Sequence, residues 1–375
     1  MAAKISRRSV SSLSDPPPDD TVEVSIFGPG KGESIVLHLG DQRWAIIDSC
    51  REQGTGKVAA LNYLTRIGIN PASNVDLVVA THAHDDHIAG LAEVVEVSES
   101  AKFVSSSAIV SEEFWSMAQA DSVGEQLMRQ AIYREYRAIF DTLTSRKSKT
   151  SGALHLRALP MRTLLTVPGV GGYGRGSITA LSPSDEAVTR SLTALASSLP
   201  KKGEQRRVQV ADPNEFAVAV WVSAGGHRLL LGADLLKGPA GCGWTAVLSS
   251  WSPEERAEVF KVPHHGAPNA HHSHVWSDLL ESEPVALVAP YRAGVRPRPD
   301  PEDCARIAAL SGSSFITASP SNVAPSAAVK KTAAAMGPLV RNVRQPDGLM
   351  GHVRARAAAG SADWVVDYVH PARIL

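Results

Sequence analysis

Residues 81–87 read Thr-His-Ala-His-Asp-Asp-His, and this stretch decides the fold and the chemistry that the sequence predicts. It places three imidazoles and a carboxylate within six positions, at His82, His84, Asp86 and His87. It directly follows the apolar run 75–80, which has the composition of a buried strand. Neutral imidazole and carboxylate are the donors that zinc and its neighbours prefer. The stretch therefore predicts a metal site at the end of a strand.

Four ligands on one short turn cannot all reach one ion comfortably, so we expect them to be divided between two ions. His82 and His84 would bind the first ion, and Asp86 and His87 the second. Zinc is the first expectation, and manganese is also compatible because carboxylates contribute to the site. The alternative is a solvated His-rich turn, which the spacing disfavours because His-x-His-x-Asp-His rarely arises by chance in a chain with 13 histidines among 375 residues.

The composition is that of an ordinary globular protein, with 43% hydrophobic and 20% charged residues. Lys plus Arg equals Asp plus Glu at 38 each, so any recognition of phosphate would be local rather than a matter of overall charge. No apolar run reaches the ~18 residues of a membrane helix, and residues 1–20 lack an apolar signal segment. We therefore predict a cytoplasmic protein without membrane contact, with a flexible N-terminal tail over residues 1–20.

The rest of the chain alternates between strand and helix patterns. Three cysteines, Cys50, Cys242 and Cys304, are widely spaced and odd in number, which predicts free thiols. Helical spacing marks 56–68 and a longer stretch at about 111–145. Strand patterns occur in both halves, at 22–27, 34–39, 43–48, 177–181, 215–222, 227–231, 285–289 and 315–317. Since candidate ligands lie in both halves, residues 21–375 are predicted to form a single domain with a helical insertion at about 111–145.

The order of these features resembles the metallo-β-lactamase superfamily. Within it, the chain is similar to the soluble hydrolase domain of the DNA-uptake protein ComEC and its stand-alone relatives. The likeness covers about residues 22 to 320 and rests on Leu181-Ser182-Pro183, Asn214-Glu215, the run from Leu229 to Asp234, and the run from Lys261 to Gly266. The resemblance implies an α/β fold, an αββα sandwich of two mixed β-sheets with outer helices, and metals at one edge of the sandwich.

The resemblance also implies roles for residues outside the first motif. Asp234 would bridge the two ions, His265 would complete the second site, and Asp48 would hold a ligating imidazole in its correct tautomer. A buried carboxylate at the end of an apolar strand is costly unless a cation compensates it, which supports the role of Asp234. The alternatives are a turn aspartate that caps the next helix and, for His264 and His265, a mobile polar loop.

Three departures from the family pattern limit this assignment. Ala233 precedes Asp234 where relatives usually have glycine, and Ala267 and Ala270 stand where the ComEC-like pattern has serine. The third histidine of the first metal site is not identifiable. His155 lies in the right interval, but its context equally suits a strand with one outward histidine.

The predicted function is that of a metal-dependent hydrolase, a phosphodiesterase or nuclease in which a metal-bridging hydroxide attacks phosphorus. Asp86 would orient that hydroxide, and His264 would donate a proton to the leaving oxygen or bind a phosphate oxygen. The partner would be a phosphate-containing substrate such as nucleic acid or a nucleotide. The alternatives are a hydrolase of a lactam, lactone or thioester, and a non-catalytic or conditionally active subunit of a larger assembly.

Two further groups of basic side chains have open assignments. They are either solvated or bind phosphate, and the sequence does not decide between these. The groups are His271, His272 and His274, and Arg292, Arg296 and Arg298.

Overall fold

The computed structural model describes residues 5–30, 32–107, 126–147, 153–198, 212–292, 296–320, 327–337 and 350–375. Its strands, in chain order, are β1 (Ile5–Val10), β2 (Thr21–Gly30), β3 (Gly32–His38), β4 (Trp44–Ile47), β5 (Val75–Ala80), β6 (Lys102–Ser106), β7 (His155–Ala158), β8 (Thr163–Gly169), β9 (Arg175–Ala180), β10 (Val220–Ala224), β11 (His227–Leu231), β12 (Ala257–Lys261), β13 (Leu280–Val288), β14 (Ser313–Ile316), β15 (Gly351–Ala358), β16 (Trp364–Val369) and β17 (Arg373–Ile374).

The helices of the same residues are α1 (Ala59–Arg66), α2 (Pro71–Asn74), α3 (Asp85–Ile88), α4 (Leu91–Val97), α5 (Gln126–Lys147), α6 (Asp185–Ser198), α7 (Gly243–Ser250), α8 (Pro301–Ala309) and α9 (Ala327–Met336). Of the insertion predicted at about 111–145, residues 111–125 lie outside the described residues, and the remainder falls within α5. Among the described helices, none combines the length and the apolar character that crossing a bilayer requires.

The strands form two sheets, and both sheets are mixed. The first has the order β1-β16-β15-β2-β3-β4-β5-β6-β7, and the second has the order β17-β14-β13-β12-β11-β10-β9-β8. Pairing is parallel from β4 to β7 and from β11 to β14, and it is antiparallel between β15, β2, β3 and β4 and between β8, β9, β10 and β11. The predicted class, an α/β fold of two mixed sheets with helices, is confirmed.

The main core lies between the two sheets, and helices cover their outer faces. Side chains alternate between the faces of a strand, so one face of β2 sends Val22, Val24 and Ile26 into the inter-sheet core. The other face of the first sheet packs against α1, where Tyr63 is buried, and α7 buries Trp244 against the second sheet. This layering leaves the strand ends at one edge free to carry a site.

Within the segment 1–20, for which the sequence predicts a flexible tail, the described residues 5–20 make contacts with the rest of the fold. Strand β1 pairs in parallel with β16, and Leu13 is fully buried. The carboxylate of Asp15 accepts hydrogen bonds from the guanidinium groups of Arg354 and Arg356, at 3.1 and 2.6 Å. Arg354 is buried on the outer face of the first sheet and requires carboxylate partners, because an unpaired buried charge is costly. This long-range pairing fixes a polar segment that has no local structural signal.

His227 links the two sheets and yields a prediction about stability. Its Nδ1 lies 2.8 Å from Glu258 and its Nε2 lies 2.9 Å from the carbonyl oxygen of Ala358 on β15. Burial lowers the pKa of His227, but hydrogen bonds to Glu258 and Ala358 outweigh that effect and raise it. A raised pKa in the folded state gives stability that is fully present below the unfolded pKa, near ~6.5, and is lost as pH rises through the folded pKa.

We therefore expect His227→Gln to lower the free energy of unfolding by about 1 to 2 kcal/mol at pH 6 and by less at pH 9. Urea unfolding of the wild-type protein and the variant at both pH values measures this difference. Equal losses at the two pH values would show that the imidazolium contributes nothing beyond packing.

Candidate metal centre

The predicted ligands meet at one edge of the sandwich, beyond the carboxyl ends of parallel strands. Asp48 directly follows β4, and the 81–87 motif follows β5 in the first sheet. Asp234 lies three residues after β11 and His265 four residues after β12 in the second sheet. A hydrogen bond from the backbone N–H of Val218 to the carbonyl oxygen of Thr81 joins the two sides at 3.0 Å. The carboxyl ends of neighbouring parallel strands therefore bring residues from both halves of the chain together.

Four side chains form the centre of the site. The candidate ligand atoms of Asp86, His87, Asp234 and His265 all lie within 4.8 Å of one another, and all four residues are buried. Oδ2 of Asp234 is 3.4 Å from Nε2 of His87 and 3.3 Å from Nε2 of His265. Oδ2 of Asp86 is 3.7 and 3.5 Å from the same two nitrogens. The geometry thus unites the Asp and His of the sequence motif with the Asp and His of the second half.

The chemistry of this centre fits a divalent cation. Nε2 of His82, Nε2 of His87 and Oδ1 of Asp234 are buried and find no hydrogen-bond partner among the described residues. Unpaired buried polar atoms are costly, and an ion satisfies them together. Burial lowers the pKa of His265, but the carboxylate of Asp234 outweighs it and raises that pKa to about 10. The pocket therefore attracts positive charge, and its nitrogen and oxygen donors suit divalent metals.

Asp48 and Thr81 orient two of the histidines. Oδ2 of Asp48 lies 2.7 Å from Nδ1 of His87 and accepts the hydroxyl proton of Thr81 at 2.7 Å. The Thr81 hydroxyl oxygen lies 2.9 Å from Nδ1 of His82. Because its own proton is directed at Asp48, this oxygen accepts the Nδ1 proton of His82. Both imidazoles therefore present their Nε2 lone pair to the pocket, as metal ligation requires.

Thr81→Val removes that hydroxyl while nearly preserving the shape of the side chain. We expect metal affinity to fall by about 10-fold, because His82 loses the contact that fixes its tautomer. Competition with a chromophoric chelator measures the affinity. Thr163→Val, at an exposed position on β8, should leave it unchanged. An affinity for Thr81→Val equal to that of Thr163→Val would contradict the proposed orientation.

The structure brings His82 and His84 together but leaves His155 elsewhere. The rings of His82 and His84 are 4.8 Å apart, and Nε2 of His82 is 3.9 Å from Oδ2 of Asp234. Nε2 of His155 instead lies 2.9 Å from the hydroxyl oxygen of Ser105, and its ring stacks on Phe103. The structure therefore does not place His155 as a third ligand of the first ion.

His264 lies at the rim of the site in a network of amides. Its Nδ1 is 3.0 Å from Oδ1 of Asn269, and its Nε2 is 3.3 Å from Nδ2 of Asn214. Since the amide oxygen only accepts and the amide nitrogen only donates, Nδ1 carries the proton and Nε2 accepts. Burial lowers the pKa of His264, which favours the neutral ring. Its role as a proton donor stays a prediction, and this role requires one of the amide contacts to be exchanged for substrate.

Two buried charges beside the site were not anticipated from the sequence. Nζ of Lys261 lies 2.5 Å from Oε1 of Glu33, 2.7 Å from the carbonyl oxygen of Ala233 and 3.6 Å from Oδ1 of Asp234. Burial lowers the pKa of Lys261, but Glu33 and Asp234 outweigh that effect and raise it. The sequence signal that could have revealed this pair is the lysine at the end of an apolar strand. Fully buried lysines are rare unless they are paired, so such a lysine implies a buried carboxylate partner.

The loops with open assignments have structural partners. Arg298 donates to Asp300 and Asp303, which form the capping box at the start of α8. Nε of Arg292 donates to the carbonyl oxygen of Ser319, and Nδ1 of His274 lies 3.2 Å from Asp278. Phosphate binding by these loops stays a prediction. A residue not anticipated, Tyr291, stacks on His265 with ring centroids 5.2 Å apart.

Comparison with known proteins gives a family match to the part of the chain that contains Asp48 and the 81–87 motif. Residues 27–170 match the family model described as the Metallo-beta-lactamase superfamily. No curated protein matches the chain. Similar solved structures include the metallo-beta-lactamase fold protein YhfI from Bacillus subtilis, at 15% identity and a TM-score of 0.40, covering 82% of this chain and 97% of that protein.

Two further solved structures are similar over a smaller part of the chain. AidC, a dizinc quorum-quenching lactonase, has 14% identity and a TM-score of 0.30, covering 54% of this chain and 56% of that protein. Zn²⁺-bound PqqB from Methylobacterium extorquens has 15% identity and a TM-score of 0.29, covering 60% and 58%. The match to the family model includes the whole 81–87 motif. Residues 27–170 are therefore similar to the metallo-β-lactamase superfamily.

Proposed function

We propose that this protein is a metal-dependent hydrolase that cleaves phosphodiester bonds, as a phosphodiesterase or nuclease. The observation that supports hydrolysis is the buried convergence of Asp86, His87, Asp234 and His265. Divalent ions, when bound, lower the pKa of coordinated water and stabilise charge in the transition state. The preference for phosphodiesters rests on the resemblance to ComEC-like domains in the second half of the chain.

The protein's own side chains have distinct tasks in this proposal. Asp234 lies between the two histidine groups, with Oδ2 3.3 Å from His265 and 3.9 Å from His82, which suits a bridging carboxylate. Oδ2 of Asp86 lies 3.5 Å from Nε2 of His265. The carboxylate of Asp86 can accept a hydrogen bond from the attacking water. His264 would contact the substrate at the rim after exchanging an amide partner.

The buried charges support two ions and an anionic substrate. Four buried carboxylates, those of Glu33, Asp48, Asp86 and Asp234, lie in or beside the site, and Lys261 supplies one buried ammonium. With neutral imidazoles, one divalent ion leaves the site negative. Two divalent ions reverse the sign and leave a single positive charge, which attracts an anionic diester more strongly than a neutral ester.

The experiment uses the purified full chain loaded with Zn²⁺ or Mn²⁺. We expect close to two ions per chain by elemental analysis and hydrolysis of bis-p-nitrophenyl phosphate. His84→Ala should lower turnover by about 100-fold or more by removing a ligand of the first ion. Thr163→Val, at the exposed position on β8, is the control and should retain full activity.

The same assay distinguishes the other functions. Hydrolysis of nitrocefin or an acyl-homoserine lactone, without hydrolysis of the diester, would overturn the proposed substrate class. A protein that binds no metal and hydrolyses none of these substrates would instead favour the non-catalytic subunit. The contact of His155 with Ser105, outside both groups of candidate metal ligands among the described residues, is the observation that favours this second function.

A further inference from the structure

A buried lysine lies next to the carboxylate that is central to the metal site. Lys261 is fully buried on β12, and its ammonium is 3.6 Å from Oδ1 of Asp234. That oxygen is buried and has no hydrogen-bond partner among the described residues. An ammonium in direct contact with this oxygen would compete with a metal ion for the same lone pairs. The position of the lysine therefore affects whether Asp234 is available as a ligand.

Glu33 provides the closer contact for this lysine. Its Oε1 lies 2.5 Å from Nζ of Lys261, and a second hydrogen bond joins Nζ to the carbonyl oxygen of Ala233 at 2.7 Å. The other oxygen of Glu33 is buried without a hydrogen-bond partner and lies 3.7 Å from Nδ1 of His265. Glu33 is thus located between the lysine and the metal ligands. It belongs to β3 in the first sheet, whereas Lys261 belongs to the second.

We propose that Glu33 is a positioning residue that holds the ammonium of Lys261 away from Asp234 and so keeps this carboxylate available to the metal. This inference rests on the metal site of the proposed function. Without Glu33, the nearest carboxylate to the ammonium is that of Asp234, and the flexible stem of a lysine allows it to close the remaining distance. A buried ammonium gains strongly from such a contact because an unpaired buried charge is costly.

The proposal predicts a pattern that a purely structural ion pair would not give. Glu33→Gln should weaken Zn²⁺ binding by about 10- to 100-fold, because Lys261 then pairs with Asp234. Lys261→Met should bind Zn²⁺ at least as tightly as the wild-type protein, because it removes the competing cation. The double variant Glu33→Gln/Lys261→Met should return to within about 3-fold of the wild-type affinity. A change of about 3-fold is smaller than the effect of losing one typical hydrogen bond.

Zn²⁺ affinity is measured by chelator competition on the full chain, together with thermal unfolding of each variant. Glu23→Gln is the matched control, because Glu23 is equally buried and ion-paired, with Arg356 on β15, but has no contact with the site. It should destabilise the fold without changing Zn²⁺ affinity. If Glu33→Gln fails to fold, Lys261→Met and the double variant still test the proposal.

Three results would overturn the inference. They are unchanged Zn²⁺ affinity in Glu33→Gln, weakened affinity in Lys261→Met, and a double variant that binds as weakly as Glu33→Gln. These measurements do not use turnover, so the affinity pattern can hold even if the diesterase assay fails. If the wild-type protein binds neither Zn²⁺ nor Mn²⁺, both the proposed function and this inference are wrong. The metal content of the wild-type protein therefore distinguishes failure of the proposed function from failure of this inference alone.

Discussion

Replacing Asp234 by Asn is expected to remove metal binding and to reduce hydrolysis by about 1,000-fold or more, equivalent to a loss of roughly 4 kcal/mol in transition-state stabilisation. The substitution preserves shape but deletes the negative charge that lies 3.4 Å from His87 and 3.3 Å from His265. A neutral amide cannot bridge two cations as a carboxylate does. Metal content by elemental analysis and turnover of bis-p-nitrophenyl phosphate measure the two losses.

Asp278→Asn provides the control for this prediction. Asp278 is an exposed carboxylate that pairs with His274, so the same chemical change there should leave metal content and turnover unchanged. An Asp234→Asn variant with the metal content and turnover of this control would contradict the central role of Asp234. A variant that keeps its metal and loses only turnover would assign Asp234 to the chemical step rather than to metal binding.

The sequence predicts those parts of the site whose signal is local. The 81–87 motif is contiguous and follows an apolar strand, so His82, Asp86 and His87 were identifiable from spacing alone. Gly90, which has a φ of +87°, separates α3 from α4. Asp86 and His87 therefore lie on their own short helical turn, α3, whereas His82 and His84 precede it.

Contacts between distant residues account for what the sequence did not predict. Asp15 and Arg354 are separated by 339 positions, and Glu33 and Lys261 lie on different sheets. A buried charge has no periodicity that distinguishes it from an exposed one, so neither pair could be inferred before the sheets were assembled. His155 is the opposite case, in which the sequence suggested a site residue that the fold places elsewhere. Its position in the chain suited a metal ligand, but it lies on β7 opposite Phe103 of β6.

The backbone at the site has positive φ at four residues other than glycine. Asp48, Ala233, His264 and His265 all have positive φ, between +44° and +58°. Non-glycine residues in this region carry strain, and such strain concentrates at functional sites. Ala233 lies at φ +44°, a conformation that glycine adopts at lower cost.

Gly32→Ala is the second substitution from which we expect a large effect, because β3 begins directly against the metal motif. Gly32 has a φ of +118°, and a Cβ atom there would lie 1.4 Å from the carbonyl oxygen of Asp86. That distance is impossible without moving one of the two backbones, and displacement of Asp86 would move a ligand. We expect metal affinity to fall by about 100-fold or more, since ligand displacement exceeds the effect of losing a supporting contact, and the free energy of unfolding to fall by about 2 to 4 kcal/mol.

Gly172→Ala separates the steric effect at Gly32 from the general cost of placing alanine at positive φ. Gly172 has a φ of +82°, and nothing lies within 4 Å of a Cβ atom built there. Its substitution should therefore cost about 1 to 2 kcal/mol in unfolding free energy and leave metal affinity unchanged. If the two variants bind Zn²⁺ equally well, the close approach of β3 does not constrain Asp86. If only Gly32→Ala loses the metal, the start of β3 acts as a fixed backbone support for the ligand.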